Sequence, residues 1–363
     1  MNAAISRLLS FAAKHERRLG GIAFVGGFAV DLVTFTVLSV AYANLAFAAY
    51  LFLAAGAVLI STSFPRTREH RATWEQTAAV VGPLVAQYAI GSLLSGFMIF
   101  YTKSAELSAA WPFLLLLAGV FIGNEYFRTN YKHLAFQLGL LFFALYAYLI
   151  FAIPLFVDKL GPGIFLLSTG TSVVLFALYL RLLRHINRTD LRESLRFALP
   201  GVVGTLVLIS GAYFTGALPP IPLTMPESGI YHSLKKEGDR YVVLNESSRE
   251  WYEFYKKRSI HAPEATSLYA YAAIAAPVKF GASVVHRWER YDNDTHRWIT
   301  ESRVAFPISG GRPGGYRGYS IHTPSTSGSW RVSVETEGGQ VIGRIPFDFS
   351  ISSDVVILTE ETH

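Results

Sequence analysis

Five side chains in the C-terminal third offer the clearest prospect of molecular recognition: His286, Trp288, Arg290, Arg317 and Tyr319. Aromatic faces beside guanidinium or imidazole groups hold sugar rings and partner peptides by apolar stacking plus hydrogen bonds. By alternation along a strand, Val284, His286, Trp288 and Arg290 share one face and Arg287, Glu289 and Tyr291 the other. The plainer reading of a strand tryptophan is core packing, which is the expectation for Trp298 and Trp330. Trp288 is divided between the two readings, because His286 and Arg290 flank it on its own face.

A second set is polar and lies within apolar stretches: Asp31, Gln87, Ser168 and Thr171, with Thr169 and Ser172 beside them. A carboxylate at the depth of Asp31, in GGFAVDLVTF, is costly in a bilayer and is a functional candidate by default. A proton or ion relay usually shows several acidic or histidine residues at depth, and here there is one. A hydrogen-bonded Asp31 that fixes helix packing is therefore expected. Glu125, Arg128, Asn130 and His133, in GNEYFRTNYKH, read as interfacial anchors. Small residues such as Ser92, Gly96, Gly201 and Gly204 read as sites of close helix approach.

Other chemistries find little support. There is no cysteine, which excludes disulfides, zinc-thiolate sites and iron-sulfur clusters. His232, His261, His286, His296 and His322 lack the paired spacing that sets two ligands on one helix face. Asp292-Asn293-Asp294 opens like a calcium loop, but Arg297 stands where the turn glycine belongs and Arg303 where the bidentate Glu belongs. No nucleophile elbow occurs in this region, and nothing singles out a catalytic carboxylate pair. The stretch GGRPGGYRGYS, Gly310 to Ser320, lacks the Gly-Lys-Ser/Thr of a phosphate loop and reads as a glycine-rich connection entering a strand at Tyr316. No catalytic residue, metal or cofactor is expected.

The elements that must position these residues follow from composition. With 51% apolar and 16% charged residues, the chain of 363 is too apolar for an ordinary soluble enzyme. The apolar blocks end near Pro219. Residues 1–225 hold 16 Lys/Arg against 9 Asp/Glu, whereas 226–363 hold 16 against 17. The net charge of +6 thus belongs to the apolar half, and the rest has no cationic surplus to release nucleic-acid counterions. No nucleic-acid partner is expected.

A hydrocarbon core of ~30 Å takes about 20 apolar residues per helix. Seven runs meet this: 20–41, 45–61, 80–101, 109–127, 134–156, 164–183 and 199–218. None reads as a cleaved signal peptide. Fourteen Lys/Arg fall in the N-terminal arm and the connections after the second, fourth and sixth runs, against two, Lys103 and Lys159, in the alternate connections. The positive-inside rule then sets the N-terminus in the cytoplasm and the C-terminal domain outside. The expected organisation is a seven-helix α-helical transmembrane bundle over 1–218, a Pro-rich linker over 219–226 carrying Pro219, Pro220 and Pro222, and an outer domain over 227–363.

That outer domain shows period-two patterning. Trp330, Val332 and Val334 alternate with Arg331 and Ser333, Glu337-Gly338-Gly339 supplies a turn, and Val341, Ile345, Phe347, Phe349 and Ile351 follow on one face. Trp298, Val304, Phe306 and Ile308 share another face, Leu268 to Ala276, Ser283 to Tyr291 and Arg240 to Leu244 read as strands, and Ser247 to Lys257 as a short amphipathic helix. Short strands between Gly/Pro turns predict an all-β, antiparallel, immunoglobulin-like sandwich.

His286-Arg287-Trp288, Tyr316-Arg317-Gly318-Tyr319-Ser320, Gly328-Ser329-Trp330-Arg331-Val332-Ser333-Val334, Gly339-Gln340-Val341-Ile342-Gly343 and Phe347 together resemble a bacterial domain of unknown function found at the C-termini of envelope proteins. The resemblance covers Leu268 to Phe349. The helices and the Pro-rich exit are similar to multi-pass inner-membrane members that carry this module. It implies an all-β fold and an envelope location, and no activity. The expectation is an inner-membrane protein whose periplasmic domain binds an envelope polysaccharide or an envelope protein, with lipid as its other partner. A transporter or intramembrane enzyme using Asp31 is the second reading, and convergence of Asp31, Gln87 and Ser168 to Ser172 on one cavity would favour it.

Overall fold

The computed structural model describes residues 28–35, 40–63, 73–104, 107–126, 133–186, 188–218, 223–238, 240–246, 258–275, 281–309, 316–352 and 356–362. The proposed amphipathic helix at Ser247 to Lys257 and the Gly310 to Gly315 loop lie outside them. Among the described residues seven helices precede eleven strands: α1 at 28–35, α2 Val40–Ser63, α3 Thr73–Ser104, α4 Leu107–Tyr126, α5 Leu134–Val157, α6 Pro162–Ile186 and α7 Arg188–Phe214. The chain divides into two compact units. One comprises Met1–Thr102, Phe113–Ala152 and Leu167–Ser210; the other comprises Lys103–Pro112, Ile153–Leu166 and Gly211–His363.

Among the described residues five helices are long and apolar enough to cross a membrane: Val40–Ser63, Val81–Thr102, Leu134–Val157, Pro162–Ile186 and Leu191–Phe214. The fourth expected span corresponds to a shorter apolar helix, Trp111–Tyr126, and the first is described only at 28–35 and 40–41. Helix α5 is apolar on all sides and mostly buried, as a helix inside a bundle should be, whereas α6 and α7 leave Leu178, Leu182, Val203 and Val207 exposed. Where α2 meets α3, Phe47 packs at a tilt against Phe97 at 4.7 Å and edge-on against Phe151 of α5 at 5.6 Å. Gly96 makes the room: a Cβ there would lie 2.3 Å from the Phe47 ring.

The strands form three sheets, ordered β1-β5-β8, β4-β10-β9-β6-β7 and β11-β3-β2. Their ranges are β1 Thr224–Tyr231, β2 Ser233–Glu237, β3 Arg240–Glu246, β4 Arg258–Ala262, β5 Leu268–Ala275, β6 Gly281–Asp292, β7 Arg297–Ser309, β8 Tyr316–His322, β9 Gly328–Thr336, β10 Val341–Ile351 and β11 Leu358–Thr362. Among the described strands pairing is antiparallel with one exception, which corrects the all-antiparallel expectation: β4 runs parallel to β10. The main core lies between the first two sheets. Leu268, Ala270, Ala272 and Ile274 of β5 meet Val284, Trp288, Trp330, Val332, Val334, Phe347 and Phe349.

The opposite face of β5 is also covered, because Tyr271 and Ala273 pack with Tyr231, Leu234, Tyr241 and Val243 of the third sheet's side. Two-sided burial explains why β5 reads LYAYAAIA, an almost unbroken apolar run of mostly small residues, and not a clean alternation.

Two irregularities shift the faces expected from alternation. Opposite β6, Trp288 pairs with Ser302 but Glu289 with Thr300, so Glu301 is extra. Beyond this bulge Trp298 comes round to Tyr291, on the face away from Phe306, and is half-buried outside the core. A second shift between Val341 and Gly343 brings Ile342 into the core in place of Val341.

Replacing Gly96 by Ala should lower the stability of the detergent-solubilised protein by about 1–3 kcal/mol, the usual cost of overpacking. A melting curve tests this, and an unchanged midpoint would show that the Phe47 ring yields freely.

Candidate functional site

Strand β8 divides its residues between two environments. Tyr316, Gly318 and Ser320 face the main core, and Arg317, Tyr319 and Ile321 face the other way. On the core side, the Trp288 indole N–H donates to the Ser320 hydroxyl at 2.9 Å, and His286 Nδ1 lies 2.9 Å from the same oxygen. Indole is donor-only, so the serine proton remains available to His286 Nδ1, which suits a neutral ring. Burial pushes the His286 pKa down from 6.5 to about 4. The ring meets Phe306 edge-on at 4.8 Å, and its Nε2 is buried without a hydrogen-bond partner. Gly318 admits Phe306, since a Cβ there would stand 2.2 Å from that ring.

This corrects the sequence reading for two residues. His286 and Trp288 are both 0% exposed, so they cannot stack on a ligand; they lock β8 in place from beneath. Arg290 lies elsewhere and pairs with Glu301 at 3.1 Å. Arg317 and Tyr319 do share an outward face.

That face is rich in tyrosine. The register aligns Tyr319 with Tyr271, Ile321 with Tyr269 and Arg317 with Ala273, while β1 sets Gly229 against Tyr271 and Tyr231 against Tyr269. Ring centroids run from Tyr231 to Tyr271 at 6.5 Å, Tyr271 to Tyr241 at 5.5 Å, Tyr241 to Tyr319 at 6.4 Å and Tyr319 to Tyr269 at 6.3 Å. Cations border the series, with Lys236 Nζ 6.0 Å from the Tyr241 ring and the Arg258 guanidinium 5.5 Å from Tyr231. Tyr271 donates to Glu227 at 3.4 Å, and burial raises the phenol pKa of both Tyr271 and Tyr231.

The series opens to solvent at one end, where Tyr319 is 42% and Ile321 47% exposed. A half-exposed ring held by neighbouring rings, with a guanidinium two residues away, can stack on a flat apolar face and bond its polar rim. Tyr241, Tyr269 and Tyr271 escaped the sequence reading. The signal was present as tyrosines at period two in LYAY, but it needed three strands to meet.

The outward face of the five-stranded sheet carries a charge network. Arg331 holds Glu289 with two bonds, 2.7 and 3.1 Å, Ser333 donates to Glu289 at 2.6 Å, and Arg287 bonds Glu335. The Arg331 guanidinium also lies 4.1 Å from the Trp298 ring centroid. Burial would raise the Glu289 pKa, but the Arg331 and Ser333 bonds and the nearby arginine charges bring it below the usual carboxylate value; for Glu335, burial prevails and the pKa is raised. Each carboxylate is 2% exposed and bonded, which suits a structural network more than an open acid/base pair. Glu246 joins His232 at 2.8 Å to His261 at 3.0 Å. No group suited to a metal ion occurs among the described residues.

Gln87 donates to Glu125 at 3.2 Å, and Asn124 donates to the Gln87 carbonyl at 3.2 Å. Asp31 lies beside Ser95 and near Tyr50. Ser168 and Ser172 are fully buried, with the Ser172 hydroxyl bonded to the Ser168 carbonyl at 2.7 Å; Thr171 is half-buried.

Residues 281–349 match the model of a family described as a protein of unknown function, DUF2914. The match runs from β6 into β10, through the strands that carry His286, Trp288, Ser320 and Trp330. No curated protein matches the chain. Among solved structures, an immunoglobulin-like protein from Pseudomonas aeruginosa shares 10% identity at TM-score 0.20, over 35% of this chain and 96% of that one. A β-glucosidase from Listeria innocua shares 10% identity at TM-score 0.19, over 33% and 17%. An alkylpurine DNA glycosylase from Pseudomonas fluorescens shares 10% at 0.23, over 84% and 99%. Similarity at these scores transfers no activity.

The depressed pKa of His286 sets a pH dependence. Between pH 6.5 and about 4 the unfolded chain binds a proton that the folded chain does not, so stability falls as pH falls through that window, by roughly 3 kcal/mol in all. Half-buried His322 acts in the same direction and Glu335 in the opposite one. The slope should therefore be taken as the difference between wild type and His286→Gln in urea unfolding at several pH values. Parallel curves for the two proteins would refute it.

Proposed function

We propose that the chain is a multi-pass protein of the bacterial inner membrane, with its N-terminus in the cytoplasm, that displays its β domain as a sandwich in the periplasm and binds an envelope polysaccharide there. The observation that carries the binding reading is the half-exposed Tyr319 ring, seated between Tyr241 and Tyr269 with Arg317 on the same strand face. Stacking on the apolar face of a sugar uses the rings, and the phenol and guanidinium groups supply directional bonds.

The topology is supported by the distribution of cations, fourteen against two. A second support is the make-up of the β-containing unit, which also includes Lys103–Pro112 and Ile153–Leu166. These are two of the three cation-poor connections, the third being the short link 42–44 in the other unit, and a common side for the two and the β domain agrees with the positive-inside rule. The transporter reading gains no comparable support: Gln87 bonds Glu125 and Asp31 lies beside Ser95.

Tyr319→Ala and Arg317→Ala should each weaken retention of the full-length, detergent-solubilised protein on immobilised peptidoglycan or cell-surface polysaccharide by about tenfold, the effect of losing a central contact, with melting unchanged. Retention on an envelope protein alone would redirect the face to a peptide partner, and retention on neither would end the reading. For topology, a reporter active only in the periplasm should be active when fused after Pro226. Activity only from a cytoplasmic reporter at that position would invert the orientation.

A further inference from the structure

Helices α6 and α7 form a hairpin with a single residue between them. Between the end of α6 and the beginning of α7 runs a groove of about 720 Å³ lined by Ala177, Leu180, Arg181, Arg184, His185, Leu191 and Leu195. The α6 residues recur at three- and four-residue spacing and so form one stripe, while Leu191 and Leu195 come from successive turns of α7. The stripe changes character along its length. Ala177 and Leu180 are apolar, and Arg181, Arg184 and His185 are basic and exposed in the last turns. None of the described lining residues is acidic.

Outside the groove, Leu178, Leu182, Phe197 and Leu199 are exposed, so the surrounding helix surface is apolar. Two guanidinium groups at the edge of such a surface lie where it gives way to polar headgroups, beside a channel able to take hydrocarbon. We infer that this groove binds one anionic phospholipid of the bilayer. Arg181 and Arg184 hold its phosphate, His185 borders the headgroup, and an acyl chain lies along Ala177, Leu180, Leu191 and Leu195. Guanidinium suits the task because its fork matches phosphate oxygens in pairs, and basic pockets between membrane helices recognise anionic headgroups by these means. The same arginines already orient the chain by their number; the groove gives two of them a ligand.

The test is native mass spectrometry of the full-length protein in neutral detergent, titrated separately with phosphatidylglycerol and phosphatidylcholine. Phosphatidylglycerol should bind in preference. Arg181→Gln and Arg184→Gln should each weaken it roughly fivefold, and the double variant about 30-fold. Arg192→Gln removes the same charge from an exposed α7 position outside the groove and should have little effect. Equal binding of both lipids, or an equal loss in Arg192→Gln, would overturn the proposal. So would displacement by millimolar inorganic phosphate, which would identify a free-phosphate site. If the double variant does not fold, the two-lipid comparison and the phosphate competition on the unaltered chain still decide it.

Discussion

One hydroxyl governs the β domain. Ser320 reaches across the main core to Trp288 and His286, so two polar nitrogens that β6 would otherwise bury unpaired are joined to the opposing sheet. An unsatisfied buried polar group costs about 1–3 kcal/mol, enough to make the alignment of β8 against β6 specific where apolar contact alone would allow sliding. Because side chains alternate along a strand, fixing Ser320 inward fixes Tyr319 and Arg317 outward. The Phe306 ring over Gly318 reinforces the same register from the next position along.

The central sheet bears a second demand. Strand β5 carries Ala270 and Ala272 into the main core and Tyr271 and Ala273 toward the tyrosine side, so its backbone is shared by two cores. Small residues on one face let the tryptophans of the five-stranded sheet approach, while large aromatic residues on the other build the ring series. The tyrosine face is consequently supported by strands buried from behind, a firmer base for a recognition surface than a loop.

Much of this was legible in the sequence. The long apolar runs gave the helices, and Trp330-Arg331-Val332-Ser333-Val334 with the Glu337-Gly338-Gly339 turn gave the β9–β10 hairpin. What eluded the sequence has definite physical causes. The bulge at Glu301 moves Trp298 from the face it should share with Phe306, and one extra residue leaves no trace in composition. The parallel partnership of β4 with β10 joins segments far apart in the chain, which local patterning cannot encode. For His286 and Trp288 the face was read correctly, but alternation does not say which face is inside. Their polar atoms suggested a ligand, and the ligand proved to be a serine of the same chain.

The clasp around Ser320 also bears on how such domains can diversify. The stretch matching the family model contains the clasp and about half of the main core, whereas Tyr241, Tyr269 and Tyr271 stand upstream of it. Arg317 and Tyr319 lie within the match but on the outward face of β8. Frame and face are thus written in separate residues, interleaved one by one along a single strand. The outward positions can change without disturbing the inward ones.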